Sequence, residues 1–478
     1  MGLLDRIGAL FKGREEFDLT EGGIARPLFY LSLPIVVTNL FQTAYNLADT
    51  FWLGQYSTDA LAAISFAFPM VFLLISMGMG LSVAGSVLVA QHTGSDETEK
   101  AEYAASQTLS FAFIASVVLG IVGYLSVERV LGLLGASPDV LPGATAYMEV
   151  VSLGIPFMFG FFVFVSLMRG YGDTITPMLV MFGSVVVNIV IDPFLINGWW
   201  RFPEMGIEGA AVATIFSRAL AAAVGIAIML RGSRGVTVHL EDMVPDFTYA
   251  RRLVEIGAPA SVGGMGRALS INLLLVIVGT FSSTVVAGYG IGTRMFSVVF
   301  LPAIAFARGV ETMTGQNIGA GKEDRAARTN DFAAKVLFGL LTLAGIVVFL
   351  AAEPITAVFT NDPAVVDVGA TFLRYVAPTF GFIGIMRAYA GGFRGAGKTI
   401  IAATIAILTQ GVVRIPIAWF ASRSLGSSGI WLAFAVSNVV GATVAYLWFR
   451  RGTWRGADIT GASVDSGERP RGDAPTDD

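Results

Sequence analysis

The first half of the chain recurs in the second half at one fixed offset, the one that carries Gln91 to Gln316. Gln91 and Gly94 in the run QHTG return as Gln316 and Gly319 in QNIG. Arg169, Gly170, Gly172 and Thr174 in MRGYGDT return as Arg394, Gly395, Gly397 and Thr399 in FRGAGKT. Pro34 pairs with Pro259 and Glu128 with Glu353. Both copies are strongly apolar, so the repeat points to two sister bundles in a bilayer. Duplicated bundles that rock against each other are a recurrent architecture of secondary transporters.

Of 478 residues, 54% are apolar and 14% charged, where soluble domains carry about 25% charged residues. One aqueous core cannot bury a surface of this kind, so lipid must act as solvent. A span needs about 20 apolar residues, and such runs fill the chain. They are continuous rather than alternating, which excludes a β-barrel. Twelve helices are expected, at about 26–53, 60–92, 103–127, 144–169, 175–197, 207–231, 252–280, 286–316, 331–352, 369–392, 399–420 and 429–450.

The fold class is therefore all-α, with two six-helix lobes related by a pseudo-two-fold axis along the membrane normal. The expected divisions are an N-terminal cytoplasmic segment (1–25), an N-lobe (26–231), a cytoplasmic linker (232–251), a C-lobe (252–450) and a disordered acidic tail (451–478). With the N-terminus inside, inner loops and termini carry about 20 Lys and Arg, and outer loops only Arg129, Arg201 and Arg423. That asymmetry predicts a multi-pass plasma-membrane protein with both termini cytoplasmic. No cleavable leader is evident in the N-terminal segment. The chain has no cysteine, which rules out disulfides and thiolate metal sites.

Polar side chains within spans are costly and tend to line a cavity. The first helix carries Asn39, Gln42, Asn46 and Asp49 on one face by their three- and four-residue spacing. The fifth carries Asn188 and Asp192, again on one face, and the sixth Thr214. Two carboxylates sharing a low-dielectric site need a proton or a cation between them, so this set suits H⁺ or Na⁺ coupling. The repeat then breaks where it matters. Gln42 becomes Arg267, Asn46 becomes Ile271, Asp49 becomes Leu274, Asn188 becomes Val413 and Asp192 becomes Ile417. The second lobe has lost its acids and gained Arg267 and Arg414. Those two could bind anionic groups, pair with distant acids, or neutralise helix carbonyls.

Two other patterns carry no chemistry. GFRGAGKT at 392–399 matches the phosphate-loop pattern. No strand precedes it, and its twin has Asp173 where Lys398 stands, so both runs are expected to be tight turns. His92 and His239 have no companion metal ligands. No cofactor, no nucleophile–base pair and no nucleic-acid stripe is present, so an enzyme is not expected. No metal is expected beyond Na⁺ at the coupling residues.

These residues resemble the multidrug and toxic compound extrusion (MATE) family over about 20–452. The marks are Pro34, NLADTFWLG at 46–54, the VAQHTG and TGQNIG ends, the two RG-x-G turns, and NIVIDP at 188–193. The chain looks closest to the archaeal and DNA-damage-inducible branch. The family's other main branch places a glutamate where Arg267 stands. The resemblance implies a cation-coupling site of Asp49, Asn188, Asp192 and Thr214. Gln42, Tyr45, Asn46 and Tyr147 would line the substrate cavity, with Arg267 and Arg414 as further candidates and Pro34 as a hinge. It implies an antiporter that exports organic compounds against H⁺ or Na⁺; lipophilic cations are the expected cargo, and the self-sufficient pair of lobes is expected to act as a monomer. Rival readings are a lipid-linked oligosaccharide flippase of the same superfamily and a non-transporting receptor or channel subunit.

Overall fold

In lipid every backbone N–H and C=O must be satisfied within its own segment, so long apolar runs close into helices. The structure, a computed structural model, describes residues 18–133 and 138–456. Its N-lobe consists of α1 (Ala25–Tyr56), α2 (Thr58–Gly94), α3 (Thr98–Leu133), α4 (Leu141–Tyr171), α5 (Ile175–Ile196) and α6 (Gly206–Leu230). The C-lobe has α7 (Phe247–Val278), α8 (Ser283–Gly319), α9 (Glu323–Leu350), α10 (Pro363–Gly395), α11 (Thr399–Leu425) and α12 (Ser427–Arg450). All twelve are long and apolar enough to cross a membrane.

The repeat is visible in the helix ends. Helices α2 and α8 both start and stop at equivalent repeat positions, and α3 and α9 start at them. Several helices begin earlier than apolar runs alone suggest. Helix α9 starts at Glu323 rather than near 331, because Glu323 and Asp324 suit the positive end of a helix dipole. Helix α10 starts at Pro363 rather than near 369. The Asp362 side chain accepts the Ala364 N–H at 2.9 Å and Pro363 occupies the first turn, a start signal made of polar residues. Within α11, residues Leu408–Val413 form a π-helical turn where α5 is regular.

The first and last described segments lie at one end of the bundle. Arg325 donates to the Gly22 and Glu21 carbonyls at 2.6 and 2.7 Å, and Asn317 donates to that of Leu19 at 3.1 Å. Arg455 pairs with Asp324 at 2.8 Å. The start of the expected tail, 451–456, is docked: Trp454 is 1% exposed and stacks on Phe449 at 4.7 Å. The remainder, 457–478, and residues 1–17 lie outside the described residues.

The linker is equally well held. Gln107 of α3 donates to the Asp242 and Val244 carbonyls at 2.6 and 2.7 Å, and Ser110 to that of Met243 at 2.8 Å. His239 meets Glu102 at 3.0 Å. A strap rather than a loose tether joins the lobes.

Candidate functional site

The lobes meet along a seam built from the repeated motifs. Gln91 donates to the Gly395 carbonyl at 3.1 Å, and its twin Gln316 donates to that of Gly170 at 3.0 Å. Each glutamine thus reaches across to the Arg-Gly turn of the other lobe. Backbones must approach closely for this. A Cβ at Gly94 would overlap the Gln316 carbonyl, and one at Gly319 that of Gln91. Glycine is the residue that allows such contact. Further out, Ser261 of α7 donates to the Met77 carbonyl of α2 at 3.1 Å, and Phe29 of α1 meets Phe306 of α8 edge-on at 5.2 Å. Among the described residues, every hydrogen bond between the lobes lies in the half nearer the termini. Toward the opposite end no hydrogen bond joins the lobes among the described residues. The two glycine-rich runs are tight helix-to-helix turns: Gly172 and Gly397 have φ of 104° and 71°. Asp173 caps the Ile175 and Thr176 N–H groups at 3.0 and 2.9 Å.

The acids converge inside the N-lobe. Asp49 on α1 is 6% exposed and Asp192 on α5 is 0% exposed. Asp49 accepts from Thr214 Oγ1 at 3.4 Å and lies within hydrogen-bonding reach of Asp192 and Asn188. Asn188 Nδ2 donates to Asp192 Oδ1 at 3.0 Å. Asp49 Oδ1, Asp192 Oδ2 and Asn188 Oδ1 are buried without a donor. Three orphaned oxygens at one site suit a proton or a small hard cation. Tyr45 and Tyr147 are buried within electrostatic range of both acids, and the Tyr45 hydroxyl is also unpartnered. Gln42 donates to Asn46 Oδ1 at 3.1 Å on the exposed side of α1. Pro34 is buried within a continuous α1, and its carbonyl accepts from Thr38 Oγ1 at 2.8 Å.

One member of this site went unnoticed in the sequence. Arg218 of α6 is 2% exposed and donates to Gln42 Oε1 at 2.7 Å and to Met181 Sδ at 3.0 Å. Its guanidinium lies 4.6 Å from the centre of the Tyr45 ring, within electrostatic range of Asp49. A lone arginine one turn from Thr214 inside an apolar span was the available signal. With both acids ionised, the trio carries one net negative charge. One monovalent cation cancels it.

The C-lobe arginines divide. Arg414 is buried and donates to Ser437 Oγ at 2.9 Å and Asn438 Oδ1 at 3.0 Å, with its guanidinium 4.2 Å from the Phe434 ring centre. Its bonding is spent on α12. Arg267 is half-buried and, among the described residues, has no such partner. Arg308 pairs with Glu311 at 3.0 Å, and Glu311 also accepts from Arg394 at 2.8 Å. His92 meets Glu97 at 2.9 Å. Among the described residues, no group of three His, Cys, Asp or Glu could hold a metal.

Among known families, the MatE model matches residues 34–194 and again 259–420, two stretches whose first residues, Pro34 and Pro259, are repeat partners. The chain belongs to the MatE family. MATE proteins are membrane transporters rather than enzymes, and this one is a multi-pass membrane protein. It is 27% identical over 443 residues to the probable multidrug resistance protein YpnP of Bacillus subtilis, covering 92% of this chain and 98% of that one. The FAD transporter of Shewanella oneidensis is 28% identical over 444 residues, with 92% and 97% covered. The bent form of the Vibrio cholerae MATE transporter VcmN superposes with a TM-score of 0.85 at 23% identity, covering 91% and 98%. Its likeness establishes that the two-lobed, twelve-helix fold is shared.

Proposed function

We propose that this MATE protein is a monomeric plasma-membrane antiporter that exports organic compounds, with lipophilic cations the first class to test. Inward movement of H⁺ or Na⁺ through the N-lobe would drive it. Relatives named for multidrug resistance and export support the cargo class. The basic residues near the termini support a cytoplasmic placement of that end, so the joined seam would face the cytoplasm.

The observation that carries the reading is the set of three donorless oxygens on Asp49, Asn188 and Asp192. A cation entering from outside binds these atoms and neutralises the site against Arg218. The ion works only through its different affinity for the two arrangements of the lobes. Helix α1 carries Asp49 beyond the buried Pro34 and packs against α8, which links the site to the seam.

The test is efflux of rhodamine 6G from proteoliposomes under an imposed pH or Na⁺ gradient, each alone. Asp49→Asn and Asp192→Asn should each abolish gradient-driven efflux while inserting normally. Full efflux by either variant would refute the assignment, and the gradient that drives the unsubstituted protein names the ion.

A further inference from the structure

The second lobe holds positive charge that the N-lobe scheme does not use. Glu311 of α8 is 4% exposed and anchors Arg308 and Arg394. Arg169 of α4 reaches the same carboxylate electrostatically from across the seam. Arg267 of α7 lies within range of Arg394 and Arg308, and Arg387 of α10 within range of all three. Three guanidinium groups therefore share one carboxylate, and two more lie within range of those arginines. Two of the five are left over: among the described residues neither Arg267 nor Arg387 forms a hydrogen bond or ion pair, and Arg387 Nε is buried without an acceptor.

A guanidinium stays charged in a protein, so this surplus has no relief through proton loss. In a membrane interior such charge calls for an anion. Position and surroundings say which kind. A Cβ added at Gly264 of α7 would lie 4.0 Å from the Ser76 side chain of the opposite lobe. Arg267 follows about one turn later on the same helix. Arg387 lies 5.8 Å from the ring centre of Phe300, which packs against Phe296 at 4.2 Å. The free charge thus sits beside an aromatic wall.

We propose that this C-lobe arginine cluster binds an anionic aromatic compound, its carboxylate or phosphate held by Arg267 and Arg387 and its ring against Phe300. The inference rests on the export reading only in taking that compound to be cargo. The N-lobe would then handle the driving cation, and the C-lobe a cargo group of opposite sign.

The test is equilibrium binding in phosphatidylcholine nanodiscs, read by fluorescence anisotropy, with fluorescein as the anionic probe and rhodamine 6G as its cationic xanthene counterpart. Fluorescein should bind, and more weakly as salt rises. Arg267→Gln and Arg387→Gln should each weaken it about tenfold by removing a charge-assisted fork. Arg387→Lys, which keeps the charge, should stay within about threefold. Gln and Lys variants that melt like the unsubstituted protein yet bind fluorescein equally well, or equally poorly, would overturn the proposal. So would an unsubstituted protein that takes only rhodamine 6G. Discs containing phosphatidylglycerol separate the sources of anion: displacement of fluorescein there assigns the site to a lipid headgroup, and undisturbed binding to a soluble compound. No gradient is imposed, so loss of driven efflux in Asp49→Asn bears on coupling and leaves this site unaffected.

Discussion

Adding one methyl group at the seam should tip the balance between the two lobe arrangements. In Gly94→Ala the new Cβ would occupy the space of the Gln316 carbonyl, and in Gly319→Ala that of the Gln91 carbonyl. Backbone cannot rotate away as a side chain can, so the helices must part. Overpacking of this kind costs about 1–3 kcal/mol. Parting also stretches the Gln91–Gly395 and Gln316–Gly170 bonds, each worth about 1 kcal/mol net. A loss of about 2–3 kcal/mol shifts a two-state equilibrium roughly 30- to 150-fold away from the joined seam. The chain's lack of cysteine makes the measurement clean, because two labels can be placed without removing any native thiol. Asp139→Cys and Asn361→Cys sit on exposed turns at the far ends of the two lobes. Spin labels there should report a long separation in the parent and a growing short-distance population in either alanine variant. An unchanged distance distribution in a well-folded Gly94→Ala protein would refute the seam as the closed gate.

Two further outcomes follow from buried polar contacts. Asn438→Ala should lower stability by about 1.5–3 kcal/mol, because it takes an acceptor from the buried Arg414 guanidinium. The thermal midpoint should fall while fluorescein affinity stays the same, and an unchanged midpoint would count against a packing role for Arg414. His239, outside the spans, has its pKa raised above the ordinary 6.5, chiefly by its hydrogen bond to Glu102. Its contribution to strap docking is complete below 6.5 and fades as pH rises through the raised value. Amide exchange at residues 236–246 should therefore quicken with rising pH beyond the intrinsic rate. His239→Ala should remove that excess, and the same excess in the variant would contradict the assignment.

Most of the architecture could be read from residues alone, because bilayer thickness forces long apolar runs and a helix has one period. The polar faces carrying Asp49 and the Asn188–Asp192 pair were legible for the same reason, since side chains three or four apart share a face, whereas the grouping of these with Thr214 across three helices came from the family resemblance. Helix starts were less so. Glu323, Asp324 and Asp362 look like loop residues to a hydropathy count, yet the first two form the first turn of α9 and Asp362 caps α10. Arg218 and Arg387 escaped notice although each is a charge within a span. The fate of Arg414 was out of reach, since Ser437 and Asn438 lie on another helix and only packing brings them together. The matched spacing of Gln91, Gly94, Gln316 and Gly319 declared a repeat but not that its members touch across it.

That last point has a structural corollary. Gln91 grips the turn at Gly395 as Gln316 grips the turn at Gly170, and each member of one contact is the repeat partner of a member of the other. An isologous dimer obeys the same rule, in which each patch on one subunit meets the matching patch on the other. Two separate six-helix chains could dock through this surface unaltered. Joined in one polypeptide, the copies need match only at this contact: Leu274 and Ile417 stand where the first copy has Asp49 and Asp192, and Arg267 where it has Gln42, while the shared interface holds both to a common shape.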